Sequence, residues 1–228
     1  MPTVLAELVS LLVPPSCVGC RSPLARGTVD LCGSCRRRLG WLRDACPRCG
    51  LPRPCGRRCP AARAAFDSAW APLVHAGPAR RLVVALKHDG RLVVARTMAA
   101  HVVAGAPLGL LAPPAVLVPV PVDPWRGRVR GFDHARRLAD AIGARTGLPV
   151  VPGLRRGRSS AAQAGRGRGA RLRAGQEARI VSDGTAGPRV VLVDDVHTTG
   201  ATLDACARAL RATGTRRVDA VTYTRALR

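Results

Sequence analysis

Aromatic side chains are scarce, with three Trp, two Phe and one Tyr in 228 residues. A core built from this chain is therefore aliphatic, and a hydrophobic content of 47% is enough to fill one. The same scarcity argues against an extended platform for stacking nucleic-acid bases. Lysine is nearly absent too: Lys87 stands alone, and the other 36 basic residues are arginine. With Ala, Gly and Pro also inflated, that skew has the look of a GC-rich coding sequence. Acids are outnumbered 14 to 37, leaving a net charge of +23. A field this basic favours phosphate-bearing partners, nucleic acid included.

Long hydrophobic runs are missing as well. The apolar stretch within residues 3–13 is too short to span a bilayer, so no membrane span is expected. No positive segment precedes it and no small-residue cleavage site follows, unlike a secretory signal. It reads as a short helix or packing segment leading into Pro14-Pro15. The expected location is cytoplasmic.

What is abundant near the amino end is cysteine. Eight of nine cysteines form four pairs before residue 60: Cys17/Cys20, Cys32/Cys35, Cys46/Cys49 and Cys55/Cys59. Three pairs enclose two residues and the last encloses three. Each can present two thiolates to one tetrahedral zinc, and two pairs complete a four-cysteine structural site. One or two structural zincs follow, with sequential and interleaved pairing both open. Disulfides are disfavoured where thiols stay reduced. Residues 1–60 carry ten arginines against three acids, and two four-thiolate zincs would lower that +7 to roughly +3. The ninth cysteine, Cys206, reads as a small core residue.

Residues 61–228 alternate strand and helix signals, which predicts an α/β domain with a mainly parallel sheet behind the 1–60 cysteine-rich module. Phe66 to Gly77 suits one or two short strands. Leu82, Val83 and Leu86, then Leu92, Ala95, Ala99 and Val102, carry helical periodicity across the Asp89-Gly90 break. Val116 to Val122 reads as a buried strand reshaped at its end by Pro119 and Pro121. The loop after it holds Arg126, Arg128 and Arg130, which could grip a pyrophosphate or nucleic-acid phosphates. A helix carrying Ala135, Ala139 and Ile142 follows, then a candidate strand at Leu148 to Val151. Arg155 to Arg173 has almost no apolar anchors and reads as a mobile hood loop. Between residues 124 and 180, 14 arginines face three acids.

The stretch that organises the chain is Val190-Val-Leu-Val-Asp194-Asp195-Val-His-Thr198-Thr199-Gly200-Ala201-Thr202. Four aliphatic residues read as a parallel strand, expected to end where the aspartates begin. A helix is expected to open after the glycine, with Leu203, Ala207 and Leu210 on one face and Gly214 near its end. First-turn N–H groups lack internal partners and favour a phosphate. Gly200 permits close backbone approach, and Thr198, Thr199 and Thr202 add hydroxyls. Asp194 and Asp195, as acceptors, suit a ribose diol and, through it, a magnesium ion. No residue stands out as a general base, and His197 reads as a variable position. A last strand is expected over Val218 to Thr224.

This stretch matches the phosphoribosyl pyrophosphate (PRPP) motif of type I phosphoribosyltransferases. With the cysteine pairs and the arginine loop, the whole chain resembles the ComF family, phosphoribosyltransferase-like proteins linked to bacterial DNA uptake. ComF-like sequences carry a lysine where Lys87 lies. They also carry Arg-Gly-Phe-Asn-Gln where this chain has Arg130-Gly131-Phe132-Asp133-His134. In the hood loop, Gln163 and Arg171 match, whereas Ala162 and Ala174 replace the family's proline and asparagine.

The resemblance implies a type I phosphoribosyltransferase-like domain preceded by a zinc ribbon. It implies PRPP and Mg2+ at Asp194, Asp195, Thr198 to Thr202, Lys87 and the 126–130 arginines, with the aspartates orienting the ribose. Single-stranded DNA and competence-machinery proteins are the implied partners, and natural transformation the implied process. The alternative is an active transferase moving phosphoribosyl from PRPP to an acceptor and releasing pyrophosphate.

Overall fold

The computed structural model describes residues 15–25, 30–122, 132–156, 180–182 and 187–227. Residues 3–13, the 126–130 arginines, Gln163 and Arg171 lie outside this set. Within it the chain forms an α/β fold around one parallel sheet. Strand β1 is Ser68–Trp70, β2 Leu73–Val74, β3 Val116–Pro119, β6 Arg189–His197 and β7 Arg217–Arg225. Their order is β1-β7-β6-β3, with β2 extending the β1 edge along β7. Every pairing in this sheet is parallel. Val150 adds a single parallel bridge to Leu117 at the far edge, where a further strand was expected.

β6 differs from expectation in one informative way. It does not stop at the aspartates but runs on to His197, because β7 keeps pairing it: Asp194 with Thr222, Val196 with Thr224, His197 with Arg225. On its other side β3 gives out, its last partners being Pro119 and Val193. Proline has no N–H to extend that ladder. The acidic pair therefore sits where the central strand outruns one neighbour while remaining held by the other. Among the described residues this leaves a notch at the carboxyl edge, the usual place for ligands in open parallel sheets.

Alternation along β6 and β7 sends side chains to two faces. Val191, Val193, Val221 and Tyr223 pack with α2 (Gly77–Lys87), α3 (Val94–Gly105) and α4 (His134–Thr146). Val190, Leu192, Val218 and Ala220 pack with Leu203, Cys206, Ala207 and Leu210 of α5 (Ala201–Arg211). Each buried leucine of that helix contributes about 2 kcal/mol by removal from water. The helix stops at Arg211. Thr213 and Gly214 then close a tighter turn onto Leu210 and Arg211, with Gly214 at φ +95.

α4 is delimited by its own sequence. The Asp133 side chain accepts from the Arg136 N–H at 3.0 Å as N-cap, and Gly147 closes the other end in the left-handed conformation. β4 (Leu154–Arg156) and β5 (Ile180–Ser182) form an antiparallel ribbon on the α5 side, joined through residues 157–179.

The cysteine block packs on both faces of this sheet. Cys17, Leu24, Leu31, Cys35 and Leu39, around the short α1 (Gly33–Arg37), join the α2–α4 cluster. Cys49 joins the α5 cluster, with Cys46, Cys55 and Cys59 packed against it. Among the described residues, no helix is long and apolar enough to cross a membrane.

Candidate functional site

The notch is lined from three directions. Asp194 and Asp195 come from β6, and adjacent strand residues face opposite sides. Asp195, 2% exposed, turns towards α2 and α4. There the Lys87 ammonium lies 3.0 Å from its Oδ2 and 3.2 Å from its Oδ1. His134 Nε2 lies 3.5 Å from Oδ2, a contact that becomes an ion pair when the imidazole is protonated. Lys87 reaches the site because it is the last residue of α2, and His134 because it is the first of α4.

Asp194 is half-buried, and its Oδ1 accepts from the Asp195 N–H at 2.8 Å. Burial, then the neighbouring Asp195 charge, pushes its carboxyl up to about 8. The two aspartates are thus unlike: one is paired with the Lys87 ammonium, the other is held close to protonation.

Beyond them the chain turns. Thr198, Thr199, Ala201 and Thr202 are exposed at the mouth of α5. Gly200 takes φ +84 as the N-cap and supplies no capping side chain, so the Thr202 and Leu203 amides are left for an anion. Thr199 Oγ1 accepts from the Ala201 N–H at 3.3 Å. A Cβ on Gly200 would come within 2.8 Å of His197 Nε2, because the buried His197 ring fills the space beneath the turn. That ring meets Phe66 edge-on at 6.3 Å. Burial and the Arg225 charge pull His197 down to about 4, so it is a neutral packing group.

The structure therefore brings together Asp194, Asp195, Lys87 and the 198–202 turn. One residue that the motif reading missed joins them, and a second ties the β4–β5 ribbon to the chain just after β3. His134 opens α4, and only its contact with Asp195 reveals it. Arg156, on β4, donates from Nε to Pro121 O at 3.1 Å, which ties the base of the hood ribbon to the end of the proline-containing strand. The signal for Arg156 was weak, one arginine among many.

His134, Asp194 and Asp195 each bring one donor atom within 4.8 Å of the others, enough to reach a common cation. Asp195 is already paired with Lys87.

The eight cysteines resolve into two sequential groups: Cys17, Cys20, Cys32 and Cys35, then Cys46, Cys49, Cys55 and Cys59. The Cys20–Cys32 and Cys46–Cys59 sulfurs are 3.8 and 3.9 Å apart. Four sulfurs about 2.3 Å from one zinc would be about 3.8 Å apart in a tetrahedron, so both groups fit structural zinc. All nine cysteines are free thiols. The Ser22 side chain and backbone amide pull Cys20 down to about 6. Cys46 feels burial that raises it, but the amides of Cys49 and Arg48 prevail and bring it to about 7. Thiolates are the form zinc needs. Cys206, on the buried face of α5, is pushed up to about 12 by burial and stays a core thiol.

A family model, the double zinc ribbon domain, matches residues 8–63. The chain is also 30% identical over 218 residues to DNA utilization protein YhgH of Salmonella typhi, covering 90% of this chain and 94% of that one. The YhgH of Escherichia coli K12 is 30% identical over 219 residues, and that of Salmonella typhimurium LT2 31% over 219, with the same coverage. The chain belongs to the ComF family. As a ComF protein it joins two four-cysteine zinc ribbons to a mainly parallel α/β fold of phosphoribosyltransferase type.

Proposed function

We propose that this ComF protein binds PRPP with magnesium in the β6–α5 notch and acts in DNA uptake by binding single-stranded DNA. The observation that carries the PRPP reading is the unequal acidic pair beside the uncapped mouth of α5. Asp194 is the carboxylate presented to a ribose diol, while Asp195 holds Lys87 and His134 in place behind it. The 5′-phosphate is assigned to the 198–202 turn. The pyrophosphate is assigned to Lys87 and the arginines 126, 128 and 130. Bound magnesium would neutralise pyrophosphate charge, and Asp194 is the residue that would share it.

The DNA reading draws on the net charge of +23 and on the relatives, which carry the name DNA utilization protein. Phosphate contacts of this kind carry no sequence preference and weaken steeply with salt. A second reading, an active transferase that releases pyrophosphate, is favoured by His134, a titratable side chain at the site that could move a proton.

The test compares wild type with Asp194→Asn/Asp195→Asn. Calorimetry should show magnesium-dependent PRPP binding that the double variant loses. Unchanged affinity in that variant would sink the assignment. Filter binding of a single-stranded oligonucleotide at several salt concentrations should show a steep salt slope in both proteins. A flat slope, or no binding, removes the DNA reading. Pyrophosphate release from PRPP with candidate acceptors decides the transferase reading.

A further inference from the structure

We infer that Arg225 is a positioning residue that hands the geometry of the second zinc site to the turn at the mouth of α5. Zinc occupancy at Cys46, Cys49, Cys55 and Cys59 thereby sets the shape of that turn. The consequence for ligand affinity rests on the PRPP reading above; the mechanical coupling does not.

Arg225 ends β7 and is 4% exposed. Its backbone is fixed on both sides, in register with Val74 and with His197, and its carbonyl accepts from the His75 N–H at 2.8 Å. The guanidinium then spans two structures. Nε donates to Cys49 O at 2.9 Å. Nη1 donates to His197 O at 2.8 Å, Thr198 O at 2.6 Å and Ala226 O at 2.8 Å. One planar, rigid group thus joins a zinc ligand's own carbonyl to the two residues that open the turn. A buried cation gives up such acceptors only at a large cost, since an uncompensated charge in the interior is strongly disfavoured.

The cysteine knuckle is seated to match. Gly50 lies at φ +68, its N–H on Cys46 O at 2.8 Å. A Cβ there would come within 3.2 Å of Ala69 O and 3.4 Å of Arg225 Cδ, so the knuckle rests directly on the arginine. Around it, Ala69 N donates to Pro47 O at 3.0 Å, and Arg48 donates to the carbonyls of Ala61, Ala64 and Asp67. Zinc holds the knuckle closed; without it, four thiolates lose their common centre and the Cys49 carbonyl loses its fixed position. The guanidinium then follows Cys49, and the turn whose His197 and Thr198 carbonyls it holds relaxes with it. The first site packs into the opposite hydrophobic cluster and serves as an internal control.

The experiment uses the full chain labelled with 15N. Amide signals are recorded for wild type, Cys55→Ser/Cys59→Ser, Cys20→Ser/Cys32→Ser and Arg225→Lys, with zinc content measured for each. Signals from residues 198–201 should move in the second-site variant and in Arg225→Lys, while those of Val190 to Val193 stay in place. They should not move in the first-site variant, and Arg225→Lys should retain both zincs. PRPP affinity should fall about tenfold wherever the turn signals move.

Unmoved turn signals in Arg225→Lys and in the second-site variant overturn the inference. Moved signals in a protein whose wild type does not bind PRPP overturn the PRPP reading and leave the coupling standing. If the second-site variant loses its Val190 to Val193 signals, stepwise chelation of wild-type zinc supplies the same comparison. Turn signals that shift as the second zinc leaves support the coupling, and signals that ignore its departure overturn it.

Discussion

Lys87 Nζ lies 3.0 Å from Asp195 Oδ2, so the one lysine in the sequence is committed to one half of the acidic pair. Asp195 is 3% exposed at its side chain and Lys87 28%, which makes this a largely desolvated contact. Removing one partner from such a pair strands the other. Lys87→Met should lose about 3 kcal/mol in urea unfolding at pH 7. Lys87→Met/Asp195→Asn should recover most of that loss. A double variant no more stable than the single one would show that the contact is not what holds Asp195.

Asp194 gives a second expectation, with a definite sign. Its folded carboxyl is raised from 3.8 to about 8, chiefly by burial. Its favourable contribution is therefore complete below about pH 4 and is lost as pH climbs towards 8. Asp194→Asn should melt like wild type near pH 4 and become progressively more stable than it as pH rises to 8. The same change should abolish PRPP binding. A stability difference that does not vary with pH would count against this environment for Asp194.

His197 works in the opposite direction. Its folded value is depressed from 6.5 to about 4, first by burial and then by Arg225. The unfolded chain takes up a proton that the folded one refuses, so stability is full above about pH 6.5 and falls towards pH 4. The loss over that window is about 3 kcal/mol. His75 and His101 shift the same way, so the quantity to measure is wild type minus His197→Gln by denaturant unfolding at pH 7 and pH 4.5. A difference equal at both pH values would rule out a buried neutral ring.

Metal analysis should return two zincs per chain, matching the two cysteine groups. After chelation in denaturant all nine thiols should react. In the native zinc protein Cys206 should stay silent, being fully buried. A single zinc, or a recovered disulfide, would contradict the sequential pairing.

Much of the site was legible in sequence because its chemistry is local. Residues 190–202 carry strand, acid pair, turn and helix in one unbroken stretch, and the structure keeps them in that order. Cysteine spacing marked every zinc ligand but not the grouping, since sequential and interleaved partners have the same spacing. The end of β6 was misplaced because two carboxylates read as a break. Pairing with β7 outweighs that local signal, and no property of residues 194–197 announces it. His134 and Arg225 were hidden for a related reason. Each acts on residues far along the chain, and their types in isolation, a histidine after an N-cap and one more arginine, said nothing of it.

The hydrogen bond from Arg225 to Cys49 joins residues 176 positions apart, and those from Ser68 to Asp219 and Ala65 to Asp204 span 151 and 139. On the ribosome, the second ribbon emerges with all four cysteines long before the strand that supplies its floor. Closing such wide loops is slow, so a young chain holds a metal-ready knuckle over missing support. Order of synthesis makes early zinc capture and late sealing two separate events, and a stalled or clipped product lacking β7 keeps its thiols while losing the clasp.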